Sequence, residues 1–312
     1  MADAEAAVVP ASARTRRHPG AAMVAVAEDR PVRRPTRGVR LLLVAFCCLT
    51  AAAVVSLVVL ADRTEQTFAW TIQPPVTAAF LGSGYAAGLV LSALALRSDD
   101  WPAVRVPYVT VLVFTWFTAA ATFVHLDRMH VNTPGTGPVA VPAAWLWLVV
   151  YVVIPVGMAV LLVRQERPER GRAPDVPIPR ALAAVLALQG VVLLVVGVAL
   201  FVAPTLSERL WPWTLTPLTA RVVAAWLLAF AVAVGLSVAD GDLLRLRIAT
   251  VAYTAFGVFQ VVTLLRFRDE VQWSGLPARV LVAMLVAIIA TGAVGWALSR
   301  RGSRALIYGR QG

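Results

Sequence analysis

Two of the three histidines in the chain flank a carboxylate in the segment 125–130, which reads HLDRMH. Neutral imidazole and carboxylate groups suit zinc and related divalent ions, so His125, Asp127 and His130 are candidate metal ligands. A continuous helix would point the two histidines to different faces, and joint ligation therefore requires the helix to end between them. A structural ion pair or interfacial cluster and a proton-linked role are the alternatives. We expect no cofactor.

A tyrosine hydroxyl lies among small residues in the segment 82–88, which reads GSGYAAG. Gly84 and Gly88 form a G-x-x-x-G step, which lets another helix approach closely in lipid. We interpret this step as a helix-packing surface. The functional alternative is that the small residues open a pocket in the middle of the membrane beside the Tyr85 hydroxyl.

Arg221 lies one turn inside a predicted membrane span, where a charge is costly and is therefore a candidate for function. It is close enough to the outer boundary for its side chain to reach the interface. We expect a structural salt bridge, with the binding of a lipid or substrate anion as the alternative. The acidic residues predicted on the same side are Glu65, Asp127, Glu208 and Asp269.

Gln189 and Gln260 are the other large polar side chains predicted at depth, and Thr115, Thr118 and Thr122 accompany them. We predict that these residues line a polar seam. The alternative is hydrogen bonding between helices, which contributes roughly 0.6 kcal/mol per bond in membranes.

The whole chain has the composition of a membrane protein. Of its 312 residues, 59% are hydrophobic and 14% are charged, and the mean hydropathy is +0.77. Ordinary soluble domains have about 25% charged residues, so these values argue against a soluble enzyme, a nucleic-acid-binding domain or a disordered regulator. All 28 cationic side chains are arginine, so the net charge of +11 reflects an arginine-rich composition and does not indicate a nucleic-acid surface.

Eight segments contain the roughly 20 apolar residues that a helix needs to cross a bilayer. None alternates as a barrel strand does, so we predict an all-α polytopic membrane protein with eight transmembrane helices. The predicted spans are residues 40–61, 75–96, 106–125, 142–163, 181–203, 217–239, 246–265 and 279–298.

The distribution of arginine predicts the orientation of these spans. With both termini in the cytoplasm, 21 arginines lie on the inner side and seven on the outer side, as the positive-inside rule requires. We therefore predict a bacterial plasma-membrane protein that is N-in and C-in. Six tryptophans near the outer boundary should form an aromatic belt at the headgroups. They are Trp70, Trp145, Trp147, Trp211, Trp213 and Trp273.

The sequence also matches itself at an offset of about 142–143 residues. The pattern E-x-x-[FW]-x-W-T-[IL]-x(1,2)-P-x-T-A occurs twice, beginning at Glu65 and at Glu208. Since four spans return the chain to the same side, we predict two parallel (tandem) four-helix repeats related by an axis along the membrane normal. The predicted organisation is a disordered cytoplasmic tail (1–39), the first repeat (40–164), a cytoplasmic linker (165–179), the second repeat (180–300) and a cytoplasmic C-terminal tail (301–312).

These features favour binding over catalysis. The chain has no G-x-x-x-x-G-K-[ST], H-E-x-x-H or G-x-S-x-G motif, and no predicted connection could hold a catalytic domain. We expect a protein that binds or transports a small or lipid-like molecule through a site in its outer half. A non-catalytic scaffold is the alternative, and an intramembrane metalloenzyme that uses His125, Asp127 and His130 is a third hypothesis. Membrane lipids are the expected partners, and nucleic acid is not. The predicted ligand-binding residues are Tyr85, His125, Asp127 and Arg221, with Trp70, Thr71, Trp213 and Thr214 as the rim.

Overall fold

The computed structural model describes residues 34–133, 135–166 and 174–308. Within these ranges the chain forms ten α-helices, and eight of them are long and apolar enough to cross a membrane. The protein is therefore an all-α, multi-pass membrane protein. The eight long helices are α1 (Arg37–Val54, continued by the π-helical turn Val55–Val59), α3 (Pro75–Leu96), α4 (Trp101–Val124), α5 (Ala140–Gln165), α6 (Arg180–Val202), α8 (Pro217–Asp240), α9 (Arg247–Arg266) and α10 (Leu276–Tyr308). The short helices α2 (Thr64–Thr67) and α7 (Ser207–Leu210) follow α1 and α6.

All eight predicted spans are confirmed as helices, and two of them differ from the prediction by five residues or more at one end. Helix α4 begins at Trp101 instead of residue 106. The prediction placed Arg105 at the boundary, whereas its Nε lies 2.7 Å from Glu166 Oε1 and the charge is paired. Helix α10 continues through most of the segment predicted as a C-terminal tail, where Gly302 faces Val176 closely. The predicted tail up to residue 33 and the linker residues 167–173 lie outside the described residues.

Four helices form the centre of the bundle and four surround it. Helices α3, α4 and α8 bury more than half of their most apolar stretch, and α9 buries more of it than any outer helix does. Helix α3 packs against α9 and α4 packs against α8, so each central helix of the first half (α1–α5) contacts one of the second half (α6–α10). The outer helices α1, α5, α6 and α10 cover this centre and expose many aliphatic side chains. Such a surface suits the acyl chains of a bilayer.

We call the end of the bundle where α1 begins the N-side and the opposite end the far side. On the far side, the segment after each short helix folds back onto the bundle and is held by backbone hydrogen bonds. His130 N donates to Ala69 O at 2.8 Å, and Gln272 N donates to Pro212 O at 2.8 Å. These bonds satisfy backbone groups that a loop at this position would otherwise bury without partners.

The predicted aromatic belt is only partly present. Trp145 and Trp273 are exposed, as an interfacial belt requires. The other four tryptophans are buried inside the protein instead: three lie in the segments that fold back onto the bundle, and Trp147 lies on the inward face of α5. These four are Trp70, Trp147, Trp211 and Trp213.

On the N-side, the segment before α6 is held by the buried carboxylate of Asp242. This carboxylate accepts hydrogen bonds from the backbone N–H groups of Asp175, Val176 and Leu244 at 2.9–3.3 Å. Its charge is balanced by Arg245, whose Nε lies 3.2 Å from Asp242 Oδ2. The connection between the two halves is therefore anchored at its second end.

Candidate functional site

The HLDRMH segment does not converge on one point. Helix α4 ends at Val124, before both histidines, and a short 3-10 turn then carries the chain from Leu126 to Arg128. The His130 ring faces the segment after α2, with Nδ1 lying 3.0 Å from Phe68 O and Nε2 lying 3.1 Å from Thr71 Oγ1. Because a carbonyl oxygen only accepts, Nδ1 carries the hydrogen of the bond to Phe68.

The three candidate metal ligands therefore have separate environments. The Asp127 side chain is exposed and lies 3.0 Å from its neighbour Arg128, while His125 turns toward α8. Across the three described ranges, no group of three or more His, Cys, Asp or Glu side chains is arranged to hold a metal ion. The early end of α4 explains this outcome, because it lets the two histidines turn to different partners.

Arg221 connects the ends of three helices on the far side. Its Nη1 donates to His125 Nε2 at 2.6 Å, and its Nε donates to Phe201 O, near the end of α6, at 3.0 Å. The expected salt bridge to a carboxylate is wrong for the part of the chain described, since the acceptors are an imidazole and a carbonyl. A guanidinium can only donate, so His125 accepts through a neutral ring nitrogen. Burial and then the Arg221 charge lower the pKa of His125, which outweighs the opposite effect of Asp127.

The two Trp-Thr pairs do not form a common rim. Trp70 lies in an aromatic cluster with Phe68 and Trp147, with ring centroids 4.8–5.3 Å apart. Trp213 donates from Nε1 to Thr77 Oγ1 at 2.9 Å and so connects the start of α8 to α3. Both threonines are exposed, and Thr71 pairs with His130 as described above.

Tyr85 lines a cavity among the helices of the first half. This cavity has a volume of about 190 Å³ and lies between α1, α3, α4 and α5, with α8 as its inner wall. The Tyr85 and Tyr151 hydroxyls are 2.8 Å apart and form a hydrogen bond between α3 and α5. The walls are otherwise mostly apolar and strongly aromatic. The aromatic residues that line the cavity besides the two tyrosines are Phe46, Phe68, Phe114, Trp147, Trp226 and Phe230.

The cavity opens sideways, between α1 and α5. On the N-side these helices are joined, because Thr36 N donates to Gln165 Oε1 at 3.0 Å and Gly38 faces Leu161. On the far side, the short helix α2 contacts α5 and closes the gap. Between these two contacts lie Ala52 and Leu146, which line the cavity and are also exposed, Leu146 by 54%. We call this opening the α1–α5 window.

The small residues of α3 serve both of the roles considered for them. A Cβ atom at Gly84 would lie 2.8 Å from Trp226 Cε2, so the missing side chain makes room for the indole ring. Gly88 has more space, since a Cβ there would lie 3.6 Å from Thr50 and 4.0 Å from Trp226. Gly84 therefore allows close packing, while Gly88 leaves part of the cavity open.

The buried glutamines bond between helices. Gln189 of α6 lies 3.4 Å from Thr291 Oγ1 of α10, and its Oε1 accepts from the Tyr253 hydroxyl at 3.2 Å. Gln260 of α9 donates to Phe80 O of α3 at 2.9 Å. Gln189 and Gln260 therefore form hydrogen bonds between helices, which was the alternative to a polar seam.

The threonines that we placed in the same seam lie on α4. Thr115 lines the cavity and donates to Leu112 O in its own helix. Thr122 accepts from Trp147 Nε1 at 3.0 Å, and Thr118 is fully buried. The residues predicted to line one polar seam therefore lie in two kinds of place: some bond between helices, and Thr115 lines the cavity.

Sequence reasoning identified Tyr85 but missed the residues that complete its surroundings. Tyr151, Trp147 and Trp226 come from α5 and α8, and no local pattern connects them to α3. A tyrosine in the middle of an apolar span was the available signal for Tyr151, since a buried hydroxyl usually has a hydrogen-bond partner.

Comparison of the chain with protein-family models, with curated proteins and with solved structures finds no match in any of the three. The functional conclusion therefore depends on the geometry of the site itself.

Proposed function

We propose that this membrane protein binds a small, lipid-soluble molecule in the cavity behind the α1–α5 window. The observation that carries the proposal is an apolar cavity of about 190 Å³ that faces the lipid and contains one buried hydroxyl pair. An apolar cavity of roughly 150 Å³ in a protein core is known to stay dry and to bind benzene-sized molecules. The cavity is thus large enough for a ring or a short piece of chain.

The proposed site lies deeper than the eight residues predicted from the sequence. Only Tyr85 of that set lines the cavity. His125 and Arg221 instead hold the ends of α4, α6 and α8 together, and we assign them a structural role in keeping the far side closed. This division favours a ligand that arrives through the bilayer over one that arrives from water.

Filling the cavity tests the proposal. The Gly88→Leu variant should abolish saturable binding of methylnaphthalene, measured by equilibrium dialysis against protein in lipid nanodiscs and corrected with empty nanodiscs. The matched control is Gly157→Leu on α5, where nothing lies within 4 Å of a new Cβ atom and which does not line the cavity.

Retained binding by Gly88→Leu, or equal loss in both variants, would contradict the site. Absence of saturable binding by the unmodified protein would favour the alternative of a non-catalytic scaffold.

We further propose that the two halves are tandem repeats. The 3-10 turns Ala61–Arg63 and Pro204–Leu206, and the short helices that follow them, have the same 143-residue offset as the sequence pattern. The packing of α3 on α9 and of α4 on α8 also supports the proposal, because a two-fold axis would exchange these two pairs. The boundaries of the repeats and of the linker remain those predicted.

The proposed location is the bacterial plasma membrane, with the N-side in the cytoplasm, and the support is the arginine distribution. Phosphatase fused after Tyr308 should be inactive and phosphatase inserted at Gly135 should be active, because this enzyme works only outside the cytoplasm. The reverse result would overturn the orientation.

A further inference from the structure

The donors that face the cavity identify the kind of ligand more closely. Ser56 and Ser92 line it. Four threonine hydroxyls line it as well, and each donates to a nearby backbone carbonyl; they belong to Thr50, Thr67, Thr110 and Thr115. Such bonds occupy the hydroxyl hydrogen, as is common for threonine in apolar helices. The tyrosine pair differs because it connects two side chains. Their mutual bond uses one of two hydroxyl hydrogens, and a ligand oxygen could accept from the pair.

A second donor stands in the same wall. The indole ring of Trp226 is only 8% exposed, and its Nε1 has no hydrogen-bond partner among the described residues. A buried donor without a partner is destabilising, and an acceptor that reached it would remove that cost. Its nitrogen lies beside Gly84, 3.1 Å from where a Cβ atom would be, and both residues border the cavity.

The shape of the walls favours a planar ring. The Trp226 ring stacks on Phe114 with centroids 3.9 Å apart, and Tyr85 meets both rings edge to face. In the same aromatic lining, Trp147 and Tyr151 lie 4.3 Å apart by ring centroids, and Tyr151 meets Phe114 edge to face. Aromatic surfaces prefer offset-stacked or edge-to-face partners, which a flat unsaturated ring supplies better than a flexible chain does.

We infer that the ligand is a membrane-dissolved ring compound with carbonyl oxygens, which is the chemistry of a quinone. The ring occupies the aromatic cavity, a carbonyl oxygen accepts from the Tyr85–Tyr151 pair, and any hydrocarbon tail passes through the α1–α5 window into lipid. This inference rests on the proposed function, because it names the class of molecule for the same cavity. It describes binding and includes no redox step.

The test compares two probes with the same fused carbon skeleton, of which one carries carbonyl oxygens. Menadione is a methylated naphthoquinone, and methylnaphthalene has the same fused rings without carbonyls. Equilibrium dialysis against the full-length protein in nanodiscs should show saturable binding of both, with menadione bound about tenfold more tightly after correction for empty nanodiscs. A tenfold ratio corresponds to about 1.4 kcal/mol, which one or two hydrogen bonds account for.

The double variant Tyr85→Phe/Tyr151→Phe should remove this preference. It keeps both rings, so methylnaphthalene should bind as before while menadione falls to the same affinity. The matched control is Tyr108→Phe, which removes a buried hydroxyl that bonds Met158 O at 3.0 Å outside the cavity. The preference should survive in that control.

The binding of a lipid-soluble ligand and the recognition of its carbonyl groups can be contradicted separately. Equal binding of both probes by the unmodified protein, or a preference that persists in the double variant, would overturn the carbonyl inference and leave the lipid-soluble ligand in place. Loss of the preference in Tyr108→Phe to the same extent would overturn it as well. Absence of saturable binding of either probe would overturn both proposals.

Discussion

The two halves of the molecule have similar helix arrangements but treat the space between their outer helices differently. In the first half, α1 and α5 separate in the middle of the bundle and open a cavity of about 190 Å³. In the second half, α6 and α10 are joined at depth by Gln189 and Thr291, with Tyr253 of α9 as a third member. The cavities lined by these helices are smaller, at about 70 and 60 Å³.

This difference shows that a few hydrogen-bonding side chains decide whether the space between the outer helices of a half is open or closed. Hydrogen bonds between membrane helices are individually weak, but each removes a polar group from lipid and brings two helices together. In the second half such bonds join the two outer helices to each other. In the first half the polar pair, Tyr85 with Tyr151, joins an outer helix to a central one and leaves the α1–α5 window open.

Removing Trp226 should have the largest effect, because this residue of the second half forms a wall of the first half's cavity. We expect Trp226→Ala to lower the free energy of unfolding by about 3 kcal/mol, the usual scale for truncating a buried tryptophan. Denaturant titration in detergent, followed by circular dichroism, measures this change. The control Trp116→Ala concerns a side chain that is 49% exposed, and it should lose far less. Equal losses would contradict the packing role.

The next largest effect should come from Gly84→Ala. The new methyl group would lie 2.8 Å from the indole ring, and overpacking of this kind costs about 1–3 kcal/mol. In Gly157→Ala the same change meets open space and should be neutral or stabilising, since alanine is the better helix former. The coupling between Gly84 and Trp226 is measured by comparing the free energies of unfolding of Gly84→Ala, of Trp226→Ala and of the double variant. Fully additive losses would show that the two residues do not share this contact.

Weakening the closed half should give a smaller change. Gln189→Leu removes the bonds to Thr291 and Tyr253, and we expect a loss of about 1 kcal/mol, in line with measured interhelical hydrogen bonds. Tyr253→Phe removes only one of these bonds and should lose roughly half as much. Denaturant unfolding of both variants tests whether Gln189→Leu loses more stability than Tyr253→Phe does. A Tyr253→Phe variant less stable than Gln189→Leu would contradict the arrangement.

The smallest effect should be a dependence on pH at the far side. Burial and Arg221 lower the pKa of His125 in the folded protein, so the unfolded chain binds a proton first as the pH falls. The contribution of His125 to stability should therefore be constant above about pH 6.5 and decrease as the pH falls from there toward the folded pKa. Thermal unfolding at several pH values should show a weaker decrease in His125→Gln. A dependence unchanged by that substitution would remove His125 as its source.

The eight helices could be predicted because membrane spans are encoded locally. Long apolar runs require helices in lipid, where every backbone group must be satisfied within its own segment. The errors occurred where a charge marked a boundary, as at Arg105, since its pairing with Glu166 depends on contacts from a distant helix.

The candidate site could be predicted only in part for the same reason. Tyr85 was visible from its small neighbours, but its partner Tyr151 is 66 residues away. The clustering of His125 and His130 in sequence was misleading, because the helix ends before them and their rings then face α8 and the α2–α3 connection. Residues that are close in sequence can face different partners once a helix has ended and a turn changes the direction of the chain.

The interlocked centre has a consequence for the order in which the protein is made. Gln260 and Phe80, which bond α9 to α3, are separated by 180 residues. At roughly 10 residues per second, the ribosome completes α9 on the order of 20 seconds after α3. During that interval the first half is in the membrane while the surface of α3 that later contacts α9, including the Ser83 hydroxyl, still lacks its native partners. The central packing is thus completed only near the end of synthesis, and truncated chains that end before α9 cannot reach the native arrangement.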